Sequence, residues 1–422
     1  MEIISLKEYQ LKKIKLLKTD VKILLNEFKD KIQVYKDVDD EDLFIIQPLH
    51  YTGNIILNNV ILNINPKINI NNLFYMLSYT YNLPFFDINT LLDSNNSGEI
   101  IFETLVKIFN NYISKLIDRG IYRGYEENLN LSLTKNGTKL DKIYCNYANL
   151  SLNVLENRIL RSTLYMLSTY NNFRDSQLSH NLRKFFNLLQ GISFEDVTLS
   201  SFKEIKYNRL NEYYKQILIL CRLFIENKSL QNQTITNNSQ DSGIPTINFH
   251  SFLLDTKDLF KKFIIKYIKE SFEKNNFITS EHNKIYFYTN KNSIKPDILI
   301  KVQQAPYIII NIEYKPPLKD QDVKQILNYC KTNQIKKALL VYPQDVNNEI
   351  YVIKDQNITI KRYILNLTRE KYLFLKELRN FLSTVKAEIK DNQTNKNIEI
   401  QNKQKENNFI SCDFISNQFS LF

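Results

Sequence analysis

The stretch YIIINIEYK, Tyr307 to Lys315, constrains the fold more than any other. It carries Ile at four of its first six positions and then turns polar. So dense a β-branched run reads as a strand inside a core. Side chains alternate between the two faces of a strand. Glu313 and Lys315 therefore share a face with Asn311, while Ile308, Ile310, Ile312 and Tyr314 take the other. Such a strand emerges from an apolar sheet into a polar site at its C-terminal end. A helix is predicted over Ser251–Phe272, where Phe252, Leu259, Phe260, Phe263, Ile264, Tyr267 and Ile268 recur on one face. Strands are predicted at Lys284–Thr289, Ile294–Lys301 and Tyr307–Lys315, the last stopped by Pro316-Pro317. A helix at Asp320–Asn333 and a strand at Lys337–Tyr342 follow. The order is αβββαβ, a mixed sheet flanked by helices, and it defines a domain over residues 247–385.

Asp297, preceded by Pro296, is predicted to sit beside Glu313 on the neighbouring strand. Two carboxylates and an amine at a sheet end form a hard oxygen site for Mg²⁺, with Asp297 and Glu313 as metal ligands. Phosphodiester hydrolysis needs this combination, because the metal offsets phosphate charge and lowers a water's pKa. Lys315 orients that water or stabilises the developing charge. Gln325 and Tyr329, one helical turn apart, both point towards the strand ends. Val323, Ile326, Leu327 and Cys330 form the buried stripe of their helix. The residues PD…ExK alone also fit a surface ion cluster; strand alternation, element order and QxxxY together count against that. Lys257, Lys261 and Lys262 are candidates for tracking DNA phosphates, set against an ordinary solvated helix face.

The preceding 240 residues form a second region. Its first 70 residues are predicted to be β-rich: in NIILNNVILNI, Asn54 to Ile64, two apolar runs flank a two-residue Asn58-Asn59 hairpin turn, and Pro66 ends the second strand. Residues 71–226 are predicted to be mainly helical, with Gly120 closing a helix through Leu116 and further helices over Asn153–Tyr170 and Tyr207–Glu226. Residues 227–246, rich in Asn, Gln, Ser and Thr, read as a linker. Residues 386–422 are charge-balanced and polar, and read as a disordered tail. Lys67 reads as a solvated lysine and Glu156 with Arg158 as a structural ion pair. His282 reads as a loop residue, and the 26 Tyr and 26 Phe as core filling. The chain is thus an α+β and α/β multidomain protein.

Several classes are excluded. No apolar run approaches the ~20 residues of a membrane span, and the charged N-terminus is not that of a signal peptide. Cys145, Cys221, Cys330 and Cys412 lie far apart, as do His50, His180, His250 and His282, so no zinc motif or disulfide framework is indicated. Neither GxxxxGK[ST] nor GxGxxG occurs among seven glycines, so the chain is not expected to bind a nucleotide itself. Lys+Arg 56 against Asp+Glu 45 gives a net charge of +11, which favours polyanion partners without naming one. The chain reads as soluble and cytoplasmic.

The Asp297, Glu313, Lys315, Gln325 and Tyr329 constellation resembles the PD-(D/E)xK nuclease superfamily in its QxxxY branch. Tyr51–Ile68, Asn72–Phe86, Asn153–Leu167, FLLDTKDLFKKFI, KPDILI, NIEYK, QILNYC and Ala338–Pro343 extend the resemblance to McrC, the nuclease subunit of the McrBC 5-methylcytosine-dependent restriction system. The resemblance implies an Mg²⁺-dependent endonuclease of double-stranded methylated DNA. It further implies that the chain joins a McrB-like AAA+ GTPase ring, stimulates GTP hydrolysis, docks through the N-terminal region and cuts through the C-terminal one. One departure stands out: Lys261 occupies a position commonly acidic in the family, so that Asp258 or Asp255 substitutes or the role is absent. A mainly regulatory subunit with a weak or vestigial nuclease, and a stand-alone DNA-repair nuclease, are the alternative readings.

Overall fold

The computed structural model describes residues 2–37, 40, 42–83, 97–133, 142–170, 173, 176–228, 251–274, 285–289, 296–302, 305–314, 321–343, 350–353 and 358–389. The chain divides into two compact units, one of Met1–Ile70 with Leu77–Thr256 and one of Asn71–Met76 with Lys257–Phe422.

The first unit begins with strands β1 (Glu2–Lys7) and β2 (Lys12–Lys15), helix α1 (Lys18–Glu27), and strands β3 (Ile32–Lys36), β4 (Leu43–Pro48), β5 (Tyr51–Ile56) and β6 (Val60–Asn65). The β5–β6 hairpin forms as its sequence predicts, with Ile56 opposite Ile61 and Leu57 N–H donating to Val60 O at 2.9 Å. Asn58 donates its backbone N–H at 3.1 Å and its amide at 2.7 Å to Asp20 Oδ1, which ties the turn to α1. Strand order is β1-β6-β5-β9 in one sheet, with β9 spanning Phe252–Asp255, and β2-β4-β3 in another. Ile14, Leu24, Ile32, Ile46, Ile55, Leu62 and Ile64 fill the core between them.

Helices α2 (Ile70–Tyr81) and α3 (Ser97–Arg119) follow. Gly120 ends α3 at φ +102°, a conformation that glycine adopts without strain, and its N–H donates to Ile117 O at 3.1 Å. Strands β7 (Gly124–Leu133) and β8 (Lys142–Ser151) then pair as an antiparallel hairpin within the stretch expected to be mainly helical. The alternation of Leu129, Leu131 and Leu133 carried that signal. Helices α4 (Leu155–Ser168), α5 (Ser176–Leu188), the short α6 (Ser201–Glu204) and α7 (Lys215–Lys228) complete this run. Most of the linker expected at 227–246 lies outside the described residues.

The structure departs from the sequence expectations at three further points. The helix expected over Ser251–Phe272 is strand β9 followed by helix α8 (Thr256–Lys274). Phe252, Leu253 and Leu254 are apolar enough for either pattern, and pairing with β5 decides the outcome. Lys67 is buried: its amine sits 4.8 Å over the Tyr9 ring and its backbone N–H donates to Glu8 Oε2 at 3.2 Å. Burial lowers its pKa to about 8, with the nearby Glu8 charge opposing that shift. Glu156 and Arg158 each hold a different segment. Glu156 Oε1 accepts from Asn211 Nδ2 at 2.8 Å, and Arg158 meets Glu195 at 3.2 Å.

The second unit contains α8, strands β10 (Ile285–Thr289), β11 (Ile298–Val302) and β12 (Ala305–Ile312), helix α9 (Gln321–Asn333), strands β13 (Lys337–Tyr342), β14 (Ile350–Ile353) and β15 (Ile358–Ile364), and helix α10 (371–389). Its sheet runs β10-β11-β12-β13-β15-β14. β11 runs antiparallel to both β10 and β12, while β12, β13 and β15 are parallel. β14, β15 and α10 lie beyond the predicted core, and α10 continues through residues 386–389, which the sequence reads as tail. The remainder of that tail lies outside the described residues.

Candidate active site

The site is built where β12 leaves the sheet. Ile308, Ile309, Ile310 and Ile312 are all fully buried, so both faces of the strand are covered until Asn311 and Glu313, which are half-buried. Helix α9 covers one face: Ile309 clusters with Ile326, Cys330 and Ile335, and Val323, Leu327 and Tyr329 pack against that group. Burial pushes the Cys330 thiol up to about 11, which leaves it protonated and inert. Ile309, Asn311 and Glu313 alternate onto one face. Tyr329 therefore lies on the face of the sheet that Glu313 takes, while Gln325, one turn earlier, is exposed. Helix α8 covers the opposite face, with the Phe260 ring 5.9 Å from that of the fully buried Tyr314.

Asp297 precedes β11, and the β11–β12 register pairs Ile298 with Ile310. That register brings Asp297 alongside the end of β12, where Ile312 N–H donates to Asp297 Oδ2 at 2.7 Å. Glu313 is the next residue. Its backbone N–H donates to Val341 O on β13 at 2.9 Å, and its Oε1 accepts from Asn311 Nδ2 at 2.8 Å. These bonds place Asp297 and Glu313 at one end of the sheet. Lys315 lies outside the described residues.

Of the three candidate lysines on α8, Lys261 enters the site. Its amine donates to Asp297 Oδ1 at 2.9 Å and to Oδ2 at 3.2 Å. Its neighbour Phe260 packs on Tyr314, which seats this turn of α8 at the strand end. Lys262 pairs instead with Asp258 at 2.5 Å, one turn back along α8. Lys257 is half-buried at the helix start. Asp255 lies in β9, 3.8 Å from His50 Nε2. A sequence reading that assigned Lys261 to DNA phosphates missed its pairing with Asp297, because nothing local links residues 36 positions apart.

Mg²⁺ is commonly held by one or two carboxylates and keeps several waters. Among the described residues no group of three His, Cys, Asp or Glu side chains gathers. Asp297 and Glu313 supply the two hard oxygen donors that such an ion takes, so the residues present fit it. No described helix is long and apolar enough to cross a membrane.

One chain of a solved structure, the refined half-complex from a tetradecameric assembly of Thermococcus gammatolerans McrB AAA+ hexamers with bound McrC, has a similar fold. The likeness covers 91% of this chain and 100% of that chain, with a TM-score of 0.57 and 18% identity. A chain of the Thermococcus gammatolerans McrBC complex solved by cryo-EM matches over 63% of this chain and 87% of its own length, with a TM-score of 0.43 and 19% identity. No curated protein matches the chain. The family model for the McrBC 5-methylcytosine restriction system component matches residues 46–343, well over half of the sequence, and the chain belongs to that family.

Proposed function

We propose that this chain is the endonuclease subunit of a modification-dependent restriction complex, hydrolysing phosphodiesters of double-stranded methylated DNA with Mg²⁺. The observation that carries the reading is the Asp297 carboxylate held by Ile312 N–H beside Glu313, at the end of a buried strand. Asp297 and Glu313 would hold the ion. When bound, Mg²⁺ supplies charge neutralisation to a phosphate and lowers the pKa of a water. Ile312 N–H fixes the orientation of Asp297, and the Asn311 amide fixes Glu313, so neither carboxylate has to be ordered when substrate arrives. Lys315, two residues on, is assigned the cation that orients the attacking water or stabilises developing charge. Gln325 and Tyr329 contribute from α9, Tyr329 on the Glu313 face.

The partner is a McrB-like AAA+ GTPase ring. The support is the family, together with the fold likeness to a chain of an assembly in which McrB hexamers carry bound McrC. This chain stimulates that ring's GTP hydrolysis and docks on it through the region before about residue 240.

The test is cleavage of methylated and unmethylated plasmid by this chain, its genomic AAA+ neighbour, Mg²⁺ and GTP. Methylation-dependent double-strand cuts are expected, falling by ~100-fold or more in Asp297→Ala while GTPase stimulation is unchanged. Normal cleavage by a folded Asp297→Ala protein would sink the reading. The Lys261–Asp297 ion pair favours a second reading, a regulatory subunit with a weak nuclease. Stimulated GTPase without cuts from wild type would select it.

A further inference from the structure

This inference rests on the endonuclease reading, because it takes Asp297 as a metal ligand. Asp297 is 9% exposed, and its two oxygens already receive three hydrogen bonds. Oδ1 accepts from Lys261 Nζ at 2.9 Å, and Oδ2 accepts from the same amine at 3.2 Å and from Ile312 N–H at 2.7 Å. An ionised carboxylate offers about four lone-pair positions. With the backbone bond fixed and the lysine straddling both oxygens, roughly one position is left. A divalent ion and an ammonium beside the same carboxylate also repel each other.

Lys261 has a way out. Its side chain is 26% exposed, and its four-carbon stem rotates freely enough to carry the amine into solvent while α8 stays packed through Phe260. We propose that Lys261 is a positioning residue and an intramolecular competitor for metal. It straddles Asp297, and a divalent ion must displace it to bind. The ion pair is then a brake on metal loading, and the Ile312 amide keeps Asp297 oriented once the lysine leaves.

A purely structural ion pair makes different predictions. Mg²⁺ binding to the full chain, without DNA, is measured by titration calorimetry for wild type, Lys261→Met, Lys261→Arg and Asp297→Asn. Lys261→Met is expected to bind Mg²⁺ about tenfold or more tightly than wild type, because the competing charge is gone. Lys261→Arg keeps the charge and is expected to bind as wild type does. Asp297→Asn is expected to lose binding. A second measurement uses only the wild-type chain: acetylation of the Lys261 amine by an amine-directed reagent, read by mass spectrometry, is expected to rise on saturation with Mg²⁺. Equal or weaker binding by Lys261→Met, or labelling that Mg²⁺ does not change, overturns the proposal. Undiminished Mg²⁺ binding by Asp297→Asn overturns the endonuclease reading beneath it instead.

Discussion

Gly53 offers the sharpest test of the first unit's packing. It lies at φ +138°, and a Cβ there would meet Phe252 O at 2.1 Å and Phe252 C at 3.0 Å. The obstacle is the backbone of β9, so no side chain can rotate away to make room. Gly53→Ala must either distort β5 or push β9 off the sheet. β9 pairs with β5 from Tyr51–Asp255 to Asn54–Phe252, and Phe252, Leu253 and Leu254 are only 1%, 4% and 5% exposed. At about 1.5–3 kcal/mol for each large apolar side chain, full detachment would cost roughly 4–9 kcal/mol. An alanine held at positive φ adds about 1–3 kcal/mol. Partial relaxation brings the expectation to about 3–5 kcal/mol, at the large end for one substitution. Urea unfolding reads the loss, and hydrogen exchange at Leu253, whose N–H donates to Asn227 Oδ1 at 2.8 Å, reports whether β9 has moved. Gly191→Ala, with nothing within 4 Å of the added Cβ, is the neutral control. Gly120→Ala is equally open but held at φ +102°, and isolates the strain alone at about 1–2 kcal/mol. Stability of Gly53→Ala within about 1 kcal/mol of the Gly191 control, with Leu253 still protected, would refute the reasoning.

Two further outcomes follow from buried charge. Asp20 is fully buried and receives both Asn58 donors, so Asp20→Ala removes the two charge-assisted bonds that tie the turn to α1 at about 1–3 kcal/mol, read by chemical denaturation, with Asp20→Asn intermediate. Glu388 sits between Lys361 and Lys337, the latter at 2.9 Å. Burial alone would raise its pKa, but hydrogen bonds from Lys361 and then Lys337, with their charges, lower it below the usual Glu value. A carboxyl lowered on folding contributes stability above its unfolded pKa and loses it as pH falls through its folded one. The Tm gap between wild type and Glu388→Gln is therefore expected to be widest near neutrality and to close in acid. A gap independent of pH would count against the ion triad.

Local signals carried much of this fold. The Asn58-Asn59 turn, the Gly120 stop, the Lys337–Tyr342 strand and the α9 stripe were legible because each is set by a few adjacent residues. The β12 strand and its emergence at Glu313 were legible for the same reason. Where the sequence misled, a distant partner decided the outcome. Phe252–Leu254 is strand and not helix because β5 stands ready to pair with it, about 200 residues earlier in the chain. Lys67 is buried because β6 runs parallel to β1 and brings Glu8 and Tyr9 to it. Lys261 belongs to the carboxylate site because Phe260 docks on Tyr314. A lysine's surroundings depend on where a long, flexible stem ends, and residue spacing along one helix does not report that.

Two main-chain bonds anchor the candidate site, and this bears on which substitutions it tolerates. Asp297 is oriented by the Ile312 N–H and Glu313 is pinned through its own N–H to Val341 O. Neither bond depends on which apolar side chain stands at 312 or 341, so long as the strands keep their register. The core around them is dominated by Ile and Leu whose shapes interchange at modest cost when volume is kept. A chain rich in Ile, Asn and Lys can therefore keep the geometry of its two carboxylates while its apolar side chains change. The exception is proline at 312, which would delete the donor to Asp297 outright. Register, set by the buried residues at 308–310 and by the packing of Ile309 against α9, is the quantity on which the site depends.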